Sequence, residues 1–320
     1  MSDRDRGGRG RFEPPLPKPY EFVPFARRIE RGAPAGHQRV SHLNGTLHGQ
    51  IIARSPLHVA SGLLEQTGNR RYPMVKAHFR TNGTPVIPAT SLKGCIRSIL
   101  EAISPSVPAV TRAPSLPREL EASHRPDHLD VAQRIFGALG YQGQVRFSDA
   151  VLESGQMEIV ETPALFRPRP GATGAYEDRG QLRGRKFYMH GKPAQGDLPL
   201  EACTEGSTFS FQIDFENLTP GELGLLLTAL GLGEPRLWPK LGGGKPVCLG
   251  TVEVINARLE LEDATQRYAD FDVPPARAVE MPPYFEAMRA ERLILNDQLR
   301  QLAATLRWPR DERECPDRSY

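Results

Sequence analysis

The stretch STFSFQIDFENLTPGELGLLLTAL, residues 207–230, changes its hydrophobic period midway. Phe209, Phe211, Ile213 and Phe215 alternate with polar residues, so an extended chain from Ser207 to Phe215 puts all four on one face. Thr219 is a hydroxyl cap, Pro220 sits at the first helical position, where its missing N–H costs nothing, and Glu222 stands three residues after the cap. A helix therefore starts at Pro220, and Leu223, Leu226, Leu227 and Leu230 bury it. A half-buried strand leading directly into a half-buried helix requires a sheet and a helical layer that share one core.

The rest of the chain supplies the partners. GTLHGQIIARSPLHV, residues 45–59, reads as one long strand bent or interrupted at Pro56, and GLLEQTGNRRYP follows as a polar loop. In VIPATSLKGCIRSILEAIS, residues 86–104, the chain breaks at Pro88 and enters a helix. Leu92, Ile96, Ile99 and Ile103 share one helical face, while Lys93, Arg97 and Glu101 form a separate stripe at i, i+4, i+8. Five prolines between Ser104 and Asp127 predict an insertion with little regular structure. A short helix through VAQRIFGALG, a strand from Gln144 to Val151, a glycine-rich loop LGGGKPVCLG with a strand after it, and one long helix over 284–306 complete the pattern.

This order predicts an α+β fold of ferredoxin-like, RRM-like type: an antiparallel sheet with two helices on one face and the other face open as a possible platform for single-stranded nucleic acid. The expected division is a basic Gly/Pro-rich arm over 1–39, a main domain over 40–262 with insertions at about 104–128 and 163–200, and a C-terminal extension over 263–320.

Composition narrows the function classes. The 320 residues are 39% hydrophobic and 25% charged, with no apolar run long enough to cross a membrane and no apolar core in the first dozen positions, so a cytoplasmic protein with no membrane partner is expected. Cys95, Cys203, Cys248 and Cys315 form no CxxC pair, and they read as buried or bystander thiols rather than a disulfide framework or zinc site. Net charge is only +3, but it is unevenly distributed. Nine Lys or Arg face five acids from Met1 to Arg39, and seven face three from Glu161 to Lys192. The first excess is either a solvated tail or a polyanion-binding arm.

Three motifs suit a phosphate backbone. The helix after Pro88 opens with Ser91, Leu92, Lys93 and Gly94, offering amides and a cation at its start; Arg97 follows one turn later, either on phosphate or paired with Glu101. Gly242, Gly243, Gly244 and Lys245 make a loop that is either a tight turn or a nest of N–H groups for an anion; the Walker spacing fails, and no cofactor is expected. GRKFYMHG interleaves cations with aromatics, as single-strand binders do, and alternation puts Lys186, Tyr188 and His190 on one face with Arg185 opposite. Arg167 and Arg169 are weaker candidates in a loop that projects as a thumb.

Taken in order, VIPATSLKGCIRSIL, RIFGALGYQGQVRFSDA, LPLEACTEGSTFSF, LGGGKPVCLGTVEV and the early GTLHGQIIARSPLHVASG strand resemble the motif series of the RAMP superfamily of CRISPR-associated proteins. The resemblance is to the branch whose subunits coat CRISPR RNA (crRNA) in type III or type III-like effector complexes, and PYEFVPF and GRKFYMH resemble pieces of that subgroup. It implies crRNA, complementary target nucleic acid, other effector subunits and copies of this chain as partners. It also implies that Gly94 keeps bulk away from the guide backbone.

Target-cutting relatives carry an aspartate in the loop before the lysine helix. Here that loop holds no Asp, the aligned position reads Arg71-Tyr72-Pro73, and Glu65 is its only carboxylate. One acid is a poor divalent-ion site, so no metal and no cleavage are expected, with Glu65 the sole acidic candidate. The alternative is a ribonuclease, either metal-dependent or using a histidine base as in crRNA processing; His48, His58 and His78 supply the residue type without a partner at any telling spacing.

Overall fold

The computed structural model describes residues 16–109, 116–165, 173–269, 272 and 276–318. In chain order its main elements are β1 (Tyr20–Val23), β2 (Leu43–Ala53), β3 (Ala60–Gln66), β4 (Met74–His78), β5 (Thr84–Ile87), α1 (Ala89–Ile103), α2 (Val131–Phe136), β6 (Val145–Phe147), β7 (Ala150–Ser154), β8 (Met157–Thr162), β9 (Arg185–Tyr188), β10 (Leu198–Cys203), β11 (Thr208–Leu218), α3 (Pro220–Ala229), β12 (Val252–Glu262), β13 (Arg277–Val279), α4 (Pro282–Ala290) and α5 (Asn296–Thr305). The fold is mixed α+β with antiparallel sheets and few helices.

The largest sheet runs β13–β12–β2–β11–β7–β5 and ends on the two-residue strand Arg80–Thr81, with β6 also paired to β11. Its central strands β12, β2, β11 and β7 are antiparallel to their neighbours, and α1 and α3 lie between the strand pairs β2/β7 and β11/β12 in sequence, an arrangement compatible with the split βαβ expectation. A second sheet runs β8–β10–β4–β3, and β1 pairs with β9 in a third.

The alternation in β11 places Phe209, Phe211, Ile213 and Phe215 in the core. Two of these rings lie over glycines of β2: Phe211 is in register with Gly49 and Phe215 with Gly45, and a β-carbon at either glycine would come within 3.0 Å of the ring. Gly49 is therefore room for Phe211, whereas Gly45 is required first by the Glu260 carbonyl oxygen, 2.0 Å from where its β-carbon would be, and then by Phe215; each ring contributes roughly 2 kcal/mol by leaving water. Helix α3 starts as its sequence dictates, with Thr219 and Glu222 closing a capping box.

Several expectations are corrected. The polar loop after the first strand is a β3–β4 hairpin, with Leu64 opposite Lys76 and Gln66 opposite Met74. It escapes pattern reading because both faces of β3 are largely exposed, which leaves no alternation. The strand expected from Gln144 to Val151 is two, β6 and β7, separated at Ser148 and Asp149. The long C-terminal helix is broken into α4 and α5: the chain turns at Glu291–Leu295, with Arg292 at φ 56°, and the Glu291 carboxylate accepts from the Gly221 N–H at 2.8 Å and the Thr219 hydroxyl at 2.7 Å. Part of the proline-rich insertion is core, since Ser104, Ser106 and Val107 are buried. Cys248 and Cys315 are joined in a disulfide, Cα atoms 5.8 Å apart, so only Cys95 and Cys203 are free thiols.

The open sheet face is ion-paired and hydrogen-bonded within itself. Asp214 accepts from Thr46 and Gln212, Glu153 accepts from Gln50, and Glu260 pairs with Arg258 at 3.0 Å. Arg146 lies in register with Asp214 and Arg258 with His48, so the face carries charges of both signs.

Candidate nucleic-acid interface

Helix α1 begins after Pro88, and its first amide is already occupied: Asp149 Oδ1 accepts from the Ala89 N–H at 2.7 Å. The carboxylate of the FSDA motif thus stands where an anion at the helix start would sit. Leu92 is 2% exposed and belongs to the core, which removes it from any interface, and Ser91 is half-buried. Gly94 is exposed on the outer ridge, and a β-carbon there would meet nothing within 4 Å.

Lys93 and Cys95 lie about 200° apart around the helix. Lys93 sits on the flank facing β6, donating to the Val145 carbonyl at 3.4 Å; burial, then Arg97, lowers its pKa. Arg97 donates to Glu101 at 2.7 Å and to the Gly137 carbonyl at 3.1 Å, so the expected pair is present. Glu101 is buried and also receives Arg185. One carboxylate therefore holds two arginines from separate motifs and fixes β9 against α1.

The opposite flank of α1 lines a cleft of about 90 Å³, whose other walls are Arg185–Tyr188 of β9 together with Lys240 and Lys245. Three motifs far apart in sequence meet here. Strand β1 completes the arrangement: Tyr20 is in register with Tyr188, and the Lys186 ammonium lies 4.9 Å from each of their ring centroids and 5.2 Å from that of Tyr176, whose hydroxyl it meets at 3.0 Å. Cations threaded among aromatic faces suit a single strand, with charge for phosphate and rings for bases.

The glycine loop is a tight turn locked onto the strand segment before β3. Gly242 takes φ 79°, and a β-carbon there would lie 2.2 Å from the His58 carbonyl oxygen, to which the Gly243 N–H donates at 2.8 Å. Gly244 takes φ 66° and leads into a single turn, Lys245–Val247. Only glycine reaches these angles at low cost beside another backbone. The amide of Gly243 is already engaged, so the loop presents Lys245 rather than three converging N–H groups.

His190 is corrected outright. It lies beyond β9, is fully buried, donates from Nε2 to the Trp238 carbonyl at 2.9 Å and accepts on Nδ1 from Thr251 at 2.8 Å. Burial, then Lys240, lowers its pKa to about 3, so it stays neutral and cannot face a strand. Arg167 and Arg169 fall outside the described residues.

Glu65 is exposed on β3, opposite Val75. Arg71 and Tyr72, at the hairpin tip, both bond Glu161. His58 and His78 are buried, the first donating to the Glu201 carbonyl at 2.6 Å and the second accepting from the Val59 N–H at 3.2 Å. Burial lowers both pKa values, that of His78 to about 4. Among the described residues, no group of three or more His, Cys, Asp or Glu is placed to hold a metal ion, and no helix is long and apolar enough to cross a membrane.

Pattern reading missed Asp149, Glu101 as a double acceptor, Tyr20 and Lys240. The FSDA string signalled the first; the others depend on tertiary pairing. The RAMP superfamily model matches residues 50–253, a span that includes α1, β9 and the glycine loop but not β1, α4 or α5. Comparison with curated proteins gives no match.

Proposed function

Because the chain belongs to the RAMP superfamily of CRISPR-associated proteins, we propose that it binds the sugar-phosphate backbone of a crRNA as a noncatalytic subunit of a multisubunit RNA-guided defence complex, presenting the guide to a complementary strand beside other effector subunits and copies of itself. The carrying observation is the meeting of α1, β9 and the glycine loop at one cleft bearing Arg185, Lys186, Lys240 and Lys245. In this reading the ferredoxin-like unit binds RNA at its helical side. The strand crosses the Gly94 ridge with Lys93 on one flank and Lys245 on the other. Lys186 and Tyr188 supply charge and a ring, while Arg97 and Arg185 act through Glu101 as positioning groups.

The test is fluorescence anisotropy with single-stranded RNAs of unrelated sequence over a salt series. Affinity is expected to fall steeply with salt, with a log–log slope of about −0.7 per phosphate engaged. The double variant Lys93→Ala, Lys245→Ala is expected to weaken binding equally for every sequence. Incubation with guide and complementary RNA in Mg²⁺ is expected to leave both strands intact. Unchanged affinity in the double variant, or cleavage abolished by Glu65→Gln, overturns the reading.

A further inference from the structure

Lys240 immediately precedes the glycine loop, is 5% exposed, and lines the cleft beneath the surface cations. Its ammonium donates to the Met189 carbonyl at 2.8 Å. The charged groups acting on it are Arg313 and Lys245, and Lys186 shares the cleft with it, as does Arg185, which is held by Glu101. Cys95 and Tyr188 line the same space, and His190 packs nearby as a neutral ring. None of the described residues lining the cleft is acidic. Burying an ammonium among like charges is unfavourable, so the amine either sheds its proton or is joined by an anion. The space, about 90 Å³, is several times what one water needs. That admits a tetrahedral anion.

We propose that this cleft is a pocket for a single phosphate group, with the Lys240 amine as its innermost contact and Lys245 and Lys186 on its rim. The assignment rests on the RNA-backbone reading above for the source of the phosphate, and it adds a contact that neither motif nor family match assigns. Burial, then Arg313 and Lys245, lowers the Lys240 pKa well below its ordinary value. An arriving phosphate favours the ammonium, so binding takes up a proton and affinity rises as pH falls.

Protein labelled with ¹³C at the lysine ε-carbon has seven lysines to resolve. It is titrated with sulfate, which does not change protonation near neutrality, and separately with an oligouridylate, while anisotropy follows RNA binding. The Lys240 resonance, identified by its loss in Lys240→Met and in wild type by its low titration midpoint, is expected to move toward the ammonium position with either ligand. Lys240→Met is expected to bind the oligouridylate about tenfold more weakly, with a salt slope shallower by about 0.7. If RNA binds and the Lys240 resonance stays put, the pocket is wrong and the RNA reading survives. If sulfate moves it and RNA does not bind, the pocket stands and the RNA reading fails. The wild-type titration decides this even where the variant does not fold.

Discussion

Gly94 stands in the interior of α1 on its exposed ridge, where a methyl group would meet no neighbouring atom. Glycine inside a helix costs about 1 kcal/mol relative to alanine, and no contact among the described residues repays it. Gly94→Ala is therefore expected to raise stability by about 1 kcal/mol in urea unfolding, and to weaken single-stranded RNA binding if a backbone crosses the ridge; a stabilised variant with undiminished affinity removes Gly94 from the interface. His190 makes the converse point, a polar residue in a basic aromatic string that folding uses for structure. Its folded pKa of about 3 lies below the unfolded value of 6.5, and that of His78, about 4, does too. The unfolded chain then binds more protons between these limits, so stability is fully present above pH 6.5 and declines as pH falls toward 3. Urea midpoints at pH 7.5 and pH 5 are expected to differ in that direction, and His190→Gln is expected to narrow the gap. Equal midpoints at the two pH values would contradict the burial of these neutral rings.

Helix α1 and strand β9 are held together by Glu101, whose buried carboxylate receives Arg97 from its own helix and Arg185 from the strand. Removing one partner of a buried ion pair leaves uncompensated charge, and Glu101→Ala is expected to cost about 3 kcal/mol, measured by denaturant unfolding; a change within 0.5 kcal/mol, the usual size for a surface site, would show that water substitutes for the carboxylate. The i, i+4 spacing of Arg97 and Glu101 made half of this pairing legible from sequence. The other half was hidden because Arg185 lies in a different element, and single-chain periodicity carries no information about which elements meet. The same division runs through the fold. β11, the α3 capping box and the inward face of α1 followed from periodicity and caps, where local chemistry decides. The β3–β4 hairpin and the α4–α5 break did not, because an exposed strand has no alternation and the break serves Glu291 at the start of a helix some seventy residues earlier.

Across the whole molecule, the C-terminal segment is part of the body that presents the cleft. Met288, Leu293, Ile294, Leu299, Leu302 and Leu306 lie in the same core as β2, β11 and α1, and a β-carbon at Gly224 of α3 would come 2.0 Å from the Tyr284 carbonyl oxygen, so α4 crosses α3 at backbone contact. The basic motifs of the cleft were individually readable, whereas the pairing of acids with cations on the open sheet face emerged only when β2, β6, β11 and β12 were set side by side. Beyond α5 the chain returns to the glycine loop: the Lys192 N–H donates to the Arg313 carbonyl at 2.8 Å, Arg313 donates to the His190 carbonyl at 3.0 Å, and Cys315 bonds Cys248 three residues after Lys245. That bond closes a loop of 67 residues, and a cross-link of this span removes enough unfolded-state entropy to stabilise the fold by about 4 kcal/mol. In reductant-free buffer Cys315→Ser is expected to lose stability of that order relative to wild type in urea unfolding, reductant is expected to bring wild type down to the same midpoint, and the variant is expected to ignore reductant. Because Lys245 is carried on the tethered loop, the reduced protein is also expected to bind single-stranded RNA more weakly than the oxidised protein at equal salt; a wild-type midpoint indifferent to reductant would show that the tail is held by its hydrogen bonds alone.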